Sequence, residues 1–175
     1  MSNVGKLSVE ELAAFICQTL ADAGITVVLT GGSCVAIWSE GKYVSKDLDF
    51  IEEGPVSQRQ LARVLKTIGF EPRERYFAHP DTDYLLEFPS GPLMVGDERV
   101  REPESIKTST GVLLLLSPTD CVKDRLAAFF HWNDRQALTQ ARLVAKARSV
   151  RMDEIRAWSL AEGHLQKFKE FAESL

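Results

Sequence analysis

The sequence predicts an α/β (α+β) chain: a mixed β-sheet flanked by helices, with a helical bundle at the C-terminal end. Three observations carry this. Short apolar, β-branched runs alternate with amphipathic stretches through the first two-thirds of the chain, Ser117-Pro118 closes the last such run, and the rest follows a helical period. With 175 residues, 45% hydrophobic and 26% charged, the chain can build a core without disulfides or structural metal. We therefore expect an α/β core over residues 1–116 and a helical region over 117–175 packed on it.

Each element has its own signal. "SVEELAAFICQTLADAG" (8–24) reads as a helix, with Ser8 as N-cap, Glu11 as capping-box partner and Gly24 as its stop. Leu12, Phe15, Ile16, Leu20 and Ala23 give it one apolar stripe. "ITVVLT" (25–30) is β-branched and apolar on both faces, which suits an interior strand. A short helix should run from Ser33 to about Ser39, and "KDLDFI" (46–51) alternates as a strand should. "SQRQLARVLKTIG" (57–69) is a capped helix. Residues 70–81 and 82–91 suggest two strands joined around His79-Pro80-Asp81. A hairpin follows, with Gly96-Asp97 near its bend, and "GVLLLL" (111–116) is a buried strand. Helices are expected at 118–131, 134–148 and 152–173, the last broken at Gly163.

Composition narrows the function classes. A net charge of −4 is not that of a general nucleic-acid binder. The charge is uneven, however: residues 1–117 hold 11 Lys/Arg against 17 Asp/Glu, and residues 118–175 hold 10 against 8. "RLVAKARSVR" (142–151) is basic without an acid, either a solvated helix face or a phosphate-facing one. Cys17, Cys34 and Cys121 are odd in number and widely spaced, which argues against a disulfide framework or zinc site. His79, His131 and His164 show no metal-ligand spacing. "MSNVGKLSVEEL" has no apolar leader and no run is long enough to cross a bilayer, so a cytoplasmic protein with no membrane partner is expected.

The stretch that carries chemistry is "LTGGSCVAIWSEGKYVSKDLDFI" (29–51). A glycine turn between a strand and a helix can cradle a phosphate, because free backbone N–H groups point at the anion. The dinucleotide fingerprint is absent, and a P-loop ending at Gly41-Lys42 fails, since Ala36 stands where its first glycine must be. Downstream, Asp47 and Asp49 share one strand face while Leu48 and Phe50 share the other. Two carboxylates about 5 Å apart repel by roughly 3 kcal/mol at an effective dielectric near 20. Cations relieve that, and oxygen-only donors favour Mg²⁺ or Mn²⁺. The plainer alternative pairs the aspartates with Lys42 or Lys46 at a wet strand end.

Gly31-Gly32-Ser33, thirteen intervening residues and "DLDF" (47–50) resemble the signature of the DNA polymerase beta-type nucleotidyltransferase superfamily. The resemblance implies a nucleotidyltransferase-like fold and transfer of a nucleoside monophosphate from a triphosphate to a hydroxyl. It implies nucleotide binding by Gly31, Gly32 and Ser33, metal binding by Asp47 and Asp49, and a third carboxylate on a later strand. Glu87 in "DYLLEF" is the best match for that third acid, with Asp83 next. "LSPTDCVKDRLAAFFHWNDRQALTQA" (116–141) is similar to the segment that follows the core in abortive-infection-type nucleotidyltransferase toxins. That similarity implies a phosphate contact from Lys123 and a place near the site for Asp134. It also implies an antitoxin partner and an RNA or tRNA 3′ end as acceptor, while a protein side chain or a small molecule is equally compatible with the acidic core. Read only as residues, Lys123 would pair with Asp120 or Asp124, and Asp134 would start a helix. A second class of reading keeps the fold as a nucleotide- or partner-binding module without chemistry.

Overall fold

The computed structural model describes residues 3–175; Met1 and Ser2, part of the stretch read as lacking a leader, lie outside it. A 3₁₀ turn at Val4–Lys6 leads into α1 (Val9–Asp22), β1 (Val27–Thr30), α2 (Gly31–Trp38), β2 (Asp47–Glu52) and α3 (Gln58–Lys66). Then come β3 (Glu71–Arg73), β4 (Tyr76–His79), β5 (Thr82–Glu87), β6 (Met94–Val95), β7 (Glu98–Arg99), β8 (Glu104–Lys107) and β9 (Val112–Leu115). Four helices finish the chain: α4 (Pro118–Trp132), α5 (Arg135–Ala147), α6 (Met152–Ala161) and α7 (Leu165–Glu173). None of the described helices is long and apolar enough to cross a membrane.

The expected mixed sheet is present, with seven strands in the order β3-β4-β5-β2-β1-β9-β8. β1 runs antiparallel to β2 and parallel to β9, while β2 runs parallel to β5. β6 and β7 form a separate hairpin. The capping boxes at Ser8/Glu11 and Ser57/Gln60 are both formed, so α1 and α3 start with their first amide donors satisfied. Leu12, Ile16 and Leu20 of α1 are fully buried, and each contributes about 1.5–3 kcal/mol by leaving water. Phe15, in mid-helix, is half-buried, and Ala23, the C-cap residue, is exposed.

Three elements differ from expectation. α2 starts at Gly31, two residues early, because the glycine turn is itself the first helical turn. Residues 70–81 are not one strand but the β3–β4 hairpin; Glu74 takes φ +56° in its bend, a left-handed conformation that no glycine advertised. β8 went unforeseen because "ESIK" has no apolar run; it is a charged edge strand beside β9.

Single polar contacts link α2 to the end of β9, α5 to α2, and α6 to the β6–β7 hairpin. The Trp38 indole donates to the Leu116 carbonyl at 2.8 Å, Arg148 donates to the Trp38 carbonyl at 3.0 Å, and the Trp158 indole donates to the Val95 carbonyl at 3.2 Å.

Candidate active site

The site grows out of the end of β1. Thr30 lies opposite Asp49, and Asp49 lies opposite Glu87, so β1, β2 and β5 present these three residues at one level and on one sheet face. Asp47 joins them by alternation along β2, while Leu48 and Phe50 are fully buried on the other face. Burial of those two side chains fixes the register, since a one-residue slip would bury both aspartates.

Gly31 takes φ +66°, and a Cβ there would lie 2.4 Å from Asp49 Oδ2. Only glycine lets the carboxylate come so close to the turn. Two hydroxyls stitch the turn to β2. Thr30 Oγ1 donates to the Asp49 carbonyl at 3.2 Å, and Ser33 Oγ donates to the Asp47 carbonyl at 2.6 Å. Ser33 is fully buried, so its hydroxyl acts on the strand that carries the acids. Beside Gly32 stand Tyr43 and Ser45, and Gln136 of α5 donates to the Tyr43 hydroxyl at 3.1 Å.

Asp49 is the electrostatic centre. Its pKa is raised to about 6, first by burial, then by the negative charges of Glu87 and Asp47; Arg125 pulls the other way. Arg125, on α4, is held in place by Asp124, which accepts from its Nε at 3.0 Å, and faces Gln140 Oε1 at 3.4 Å. On the other side of the site Arg75 Nε lies 3.5 Å from Glu87 Oε1, with its guanidinium 4.7 Å above the Tyr76 ring. Arg75 and Arg125 were both missed in the sequence. Arg75 sits in an unforeseen hairpin bend, and for Arg125 no local signal tells which side of α4 meets the site.

The other expected residues lie as follows. Lys46 pairs with Asp83 at 3.0 Å, so neither is engaged with the Asp47/Asp49 pair. Asp134 caps α5, accepting from the Ala137 amide at 3.0 Å. Lys123 is fully buried and its ammonium is shared by Glu154 at 2.8 Å, Glu98 at 3.0 Å and Asp120 at 3.9 Å. The structure therefore gathers Lys123 into a separate cluster. Burial pushes the Cys34 thiol well up, as befits a small residue filling the turn rather than a reactive one.

Two acidic groups need testing as metal sites. Among the described residues, the one trio whose oxygens all lie within 4.8 Å of one another is Glu98, Asp120 and Glu154. Lys123 already sits among them as a cation, and a metal would have to displace it. Asp47, Asp49 and Glu87 are spread wider and Glu87 is paired with Arg75, but all three are oxygen donors, and after burial the charges of Glu87 and Asp47 raise the Asp49 pKa, charge that a cation would neutralise. That chemistry fits Mg²⁺ or Mn²⁺.

No protein-family model matches the chain, and no curated protein matches it by sequence. Solved structures do. An antigenic nucleotidyltransferase-like protein from Paracoccidioides brasiliensis superposes with a TM-score of 0.58 at 15% identity, over 79% of this chain and 74% of the other. The fold is that of the nucleotidyltransferases. ANT(2")-Ia, solved in complex with adenylyl-2"-tobramycin, superposes with a TM-score of 0.54 at 12% identity, over 88% of this chain and 95% of the other. At these identities the likeness speaks for the architecture and leaves the chemistry to the residues.

Proposed function

We propose that the protein is a divalent-cation-dependent nucleotidyltransferase that moves a nucleoside monophosphate from a triphosphate to a hydroxyl acceptor. One observation carries the reading: a left-handed glycine turn opens a helix directly against a carboxylate that has two further acids on the same face. Polyphosphate would lie on the amides of the Gly31-Gly32-Ser33 turn, where the α2 N-terminus favours negative charge. Asp47 and Asp49 would hold Mg²⁺ or Mn²⁺, with Glu87 completing the set. The metal would supply charge neutralisation for the reacting phosphate and a lowered pKa for an acceptor hydroxyl.

The chain's own residues have distinct tasks. Ser33 and Thr30 hold β2 by its carbonyls so that both aspartates keep their aim. Arg125 takes the place given to Lys123 by the family resemblance: its charge is felt at Asp49, and it would meet the phosphates from the α4 side. The neighbour ANT(2")-Ia, with its adenylylated product, supports a nucleotide as donor.

The test is Mg²⁺-dependent thermal-shift screening against the four ribonucleoside triphosphates, followed by transfer of labelled nucleotide to candidate acceptors. Wild type should bind and transfer, and Asp49→Asn should retain the fold and transfer nothing. Turnover by Asp49→Asn at the wild-type rate would refute the proposal.

A further inference from the structure

In-line displacement places the attacking hydroxyl opposite the leaving pyrophosphate, so the two ends of the site must lie on opposite sides of the aspartates. Strand order tells which side is which. The glycine turn belongs to β1, the aspartates to β2 and Glu87 to β5, three neighbours spaced about 4.8 Å apart. With polyphosphate on the β1 side, the acceptor must enter from the β5 side. Beyond β5 the next strand is β4, where Tyr76 stands opposite Glu87. Arg75 precedes it in the β3–β4 bend, next to Glu74, and Arg73 is the register partner of Tyr76.

We propose, resting on the nucleotidyltransferase reading, that Arg75 selects an acceptor whose hydroxyl lies beside a phosphate. Two observations support it. The Arg75 guanidinium reaches Glu87 while its side chain stays 70% exposed, so it faces both the reacting end and the entrance. The Tyr76 ring beneath it and the Tyr76 hydroxyl bonded to it hold the cation at that entrance. A guanidinium matches two phosphate oxygens in a planar fork, a fit that an ammonium lacks. A polycationic acceptor such as tobramycin would gain no such contact from Arg75.

The experiment compares three acceptor types with the intact protein, Mg²⁺ and labelled nucleotide: a short oligoribonucleotide with a free 3′ end, a small phosphomonoester diol, and tobramycin. Transfer to one or both phosphate-bearing acceptors and not to tobramycin is expected; which of the two is used separates a polynucleotide end from a small metabolite. Arg75→Glu should raise the KM for that acceptor about tenfold, leave nucleotide affinity unchanged and keep the melting temperature, while Arg75→Lys recovers part of the loss. Preferential labelling of tobramycin, or an acceptor KM untouched by Arg75→Glu, would overturn the inference and leave the transferase reading standing. Absence of Mg²⁺-dependent nucleotide binding would remove both.

Discussion

Asp49 has a raised pKa, and the sign of its effect on stability follows. An unfolded aspartate titrates near 3.9, whereas folded Asp49 titrates at about 6. The fold thus favours its neutral form; the associated stability is present below about pH 4 and is lost as pH rises through about 6. Without divalent cation, Asp49→Asn should raise the melting temperature at pH 8 and change it little at pH 4. A melting temperature that falls at pH 8 would mean that the carboxylate is a structural acceptor instead. Metal binding requires the same ionised group, so Mg²⁺ affinity by calorimetry should weaken as pH drops from 7 to 5 and stay level above 7. The two basic residues of α4 divide in the same way. Arg125→Met should lower transfer at least about tenfold through the loss of a charged contact, and Lys123→Met, assayed at a temperature where it is folded, should retain transfer. The reverse pattern would return the phosphate contact to Lys123.

At the level of elements, the turn between β1 and α2 concentrates the most constraint in the fewest residues. Gly31→Ala adds a Cβ 2.4 Å from Asp49 Oδ2 at φ +66°, so it both strains the backbone and pushes the carboxylate aside. A cost of about 1–3 kcal/mol is expected for the backbone alone, with transfer lost, as followed by urea unfolding and labelled-nucleotide assay. Gly24→Ala, also at positive φ but with open space around its Cβ, is the control that keeps activity. Much of this region was legible because local rules and tertiary fold agree in it. The alternation of "DLDF" placed Asp47 and Asp49 together, the spacing in "DYLLEF" put Glu87 on a face with Leu85, and the capping boxes marked two helix starts. What was not legible depended on distant partners. Nothing local announces that Glu74 will bend left-handed to deliver Arg75 to Glu87, or that "ESIK" will pair because β9 offers it an edge. Lys123 and Arg125 are two positions apart on one helix, so sequence spacing points them to different sides but cannot say which side meets β2.

Across the whole molecule, the helical region and the β6–β7 hairpin are joined by a polar knot with Lys123 at its centre. Its ammonium, fully buried, binds Glu98 of the β6–β7 hairpin and Glu154 of α6, and approaches Asp120 of its own helix. The hairpin is held a second time where Glu162 accepts from the Asp97 amide at 2.8 Å. Glu154 has its pKa lowered to about 2, first by the Arg151 hydrogen bond and then by Lys123, so its share of stability is present above about pH 4 and lost as pH falls through about 2. Removing the lysine leaves three carboxylates within 4.8 Å of one another and no ammonium between them. Two of its three partners, Glu98 and Glu154, are more than a third exposed, so water screens the orphaned acids, and Lys123→Met should destabilise the protein by about 1–3 kcal/mol at pH 7. The deficit should shrink as pH approaches 4, because the orphaned acids can then take up protons. Hydrogen exchange should show the loss first in residues 94–99 and the start of α6, with β1 and β2 still protected. A Lys123→Met protein as stable as wild type at pH 7, with an unchanged exchange pattern in the hairpin, would show that apolar packing alone joins the two parts. The same variant gains an acidic trio without its resident cation, so added Mg²⁺ should restore part of its stability at pH 7 while leaving the wild-type melting temperature, measured without nucleotide, less affected.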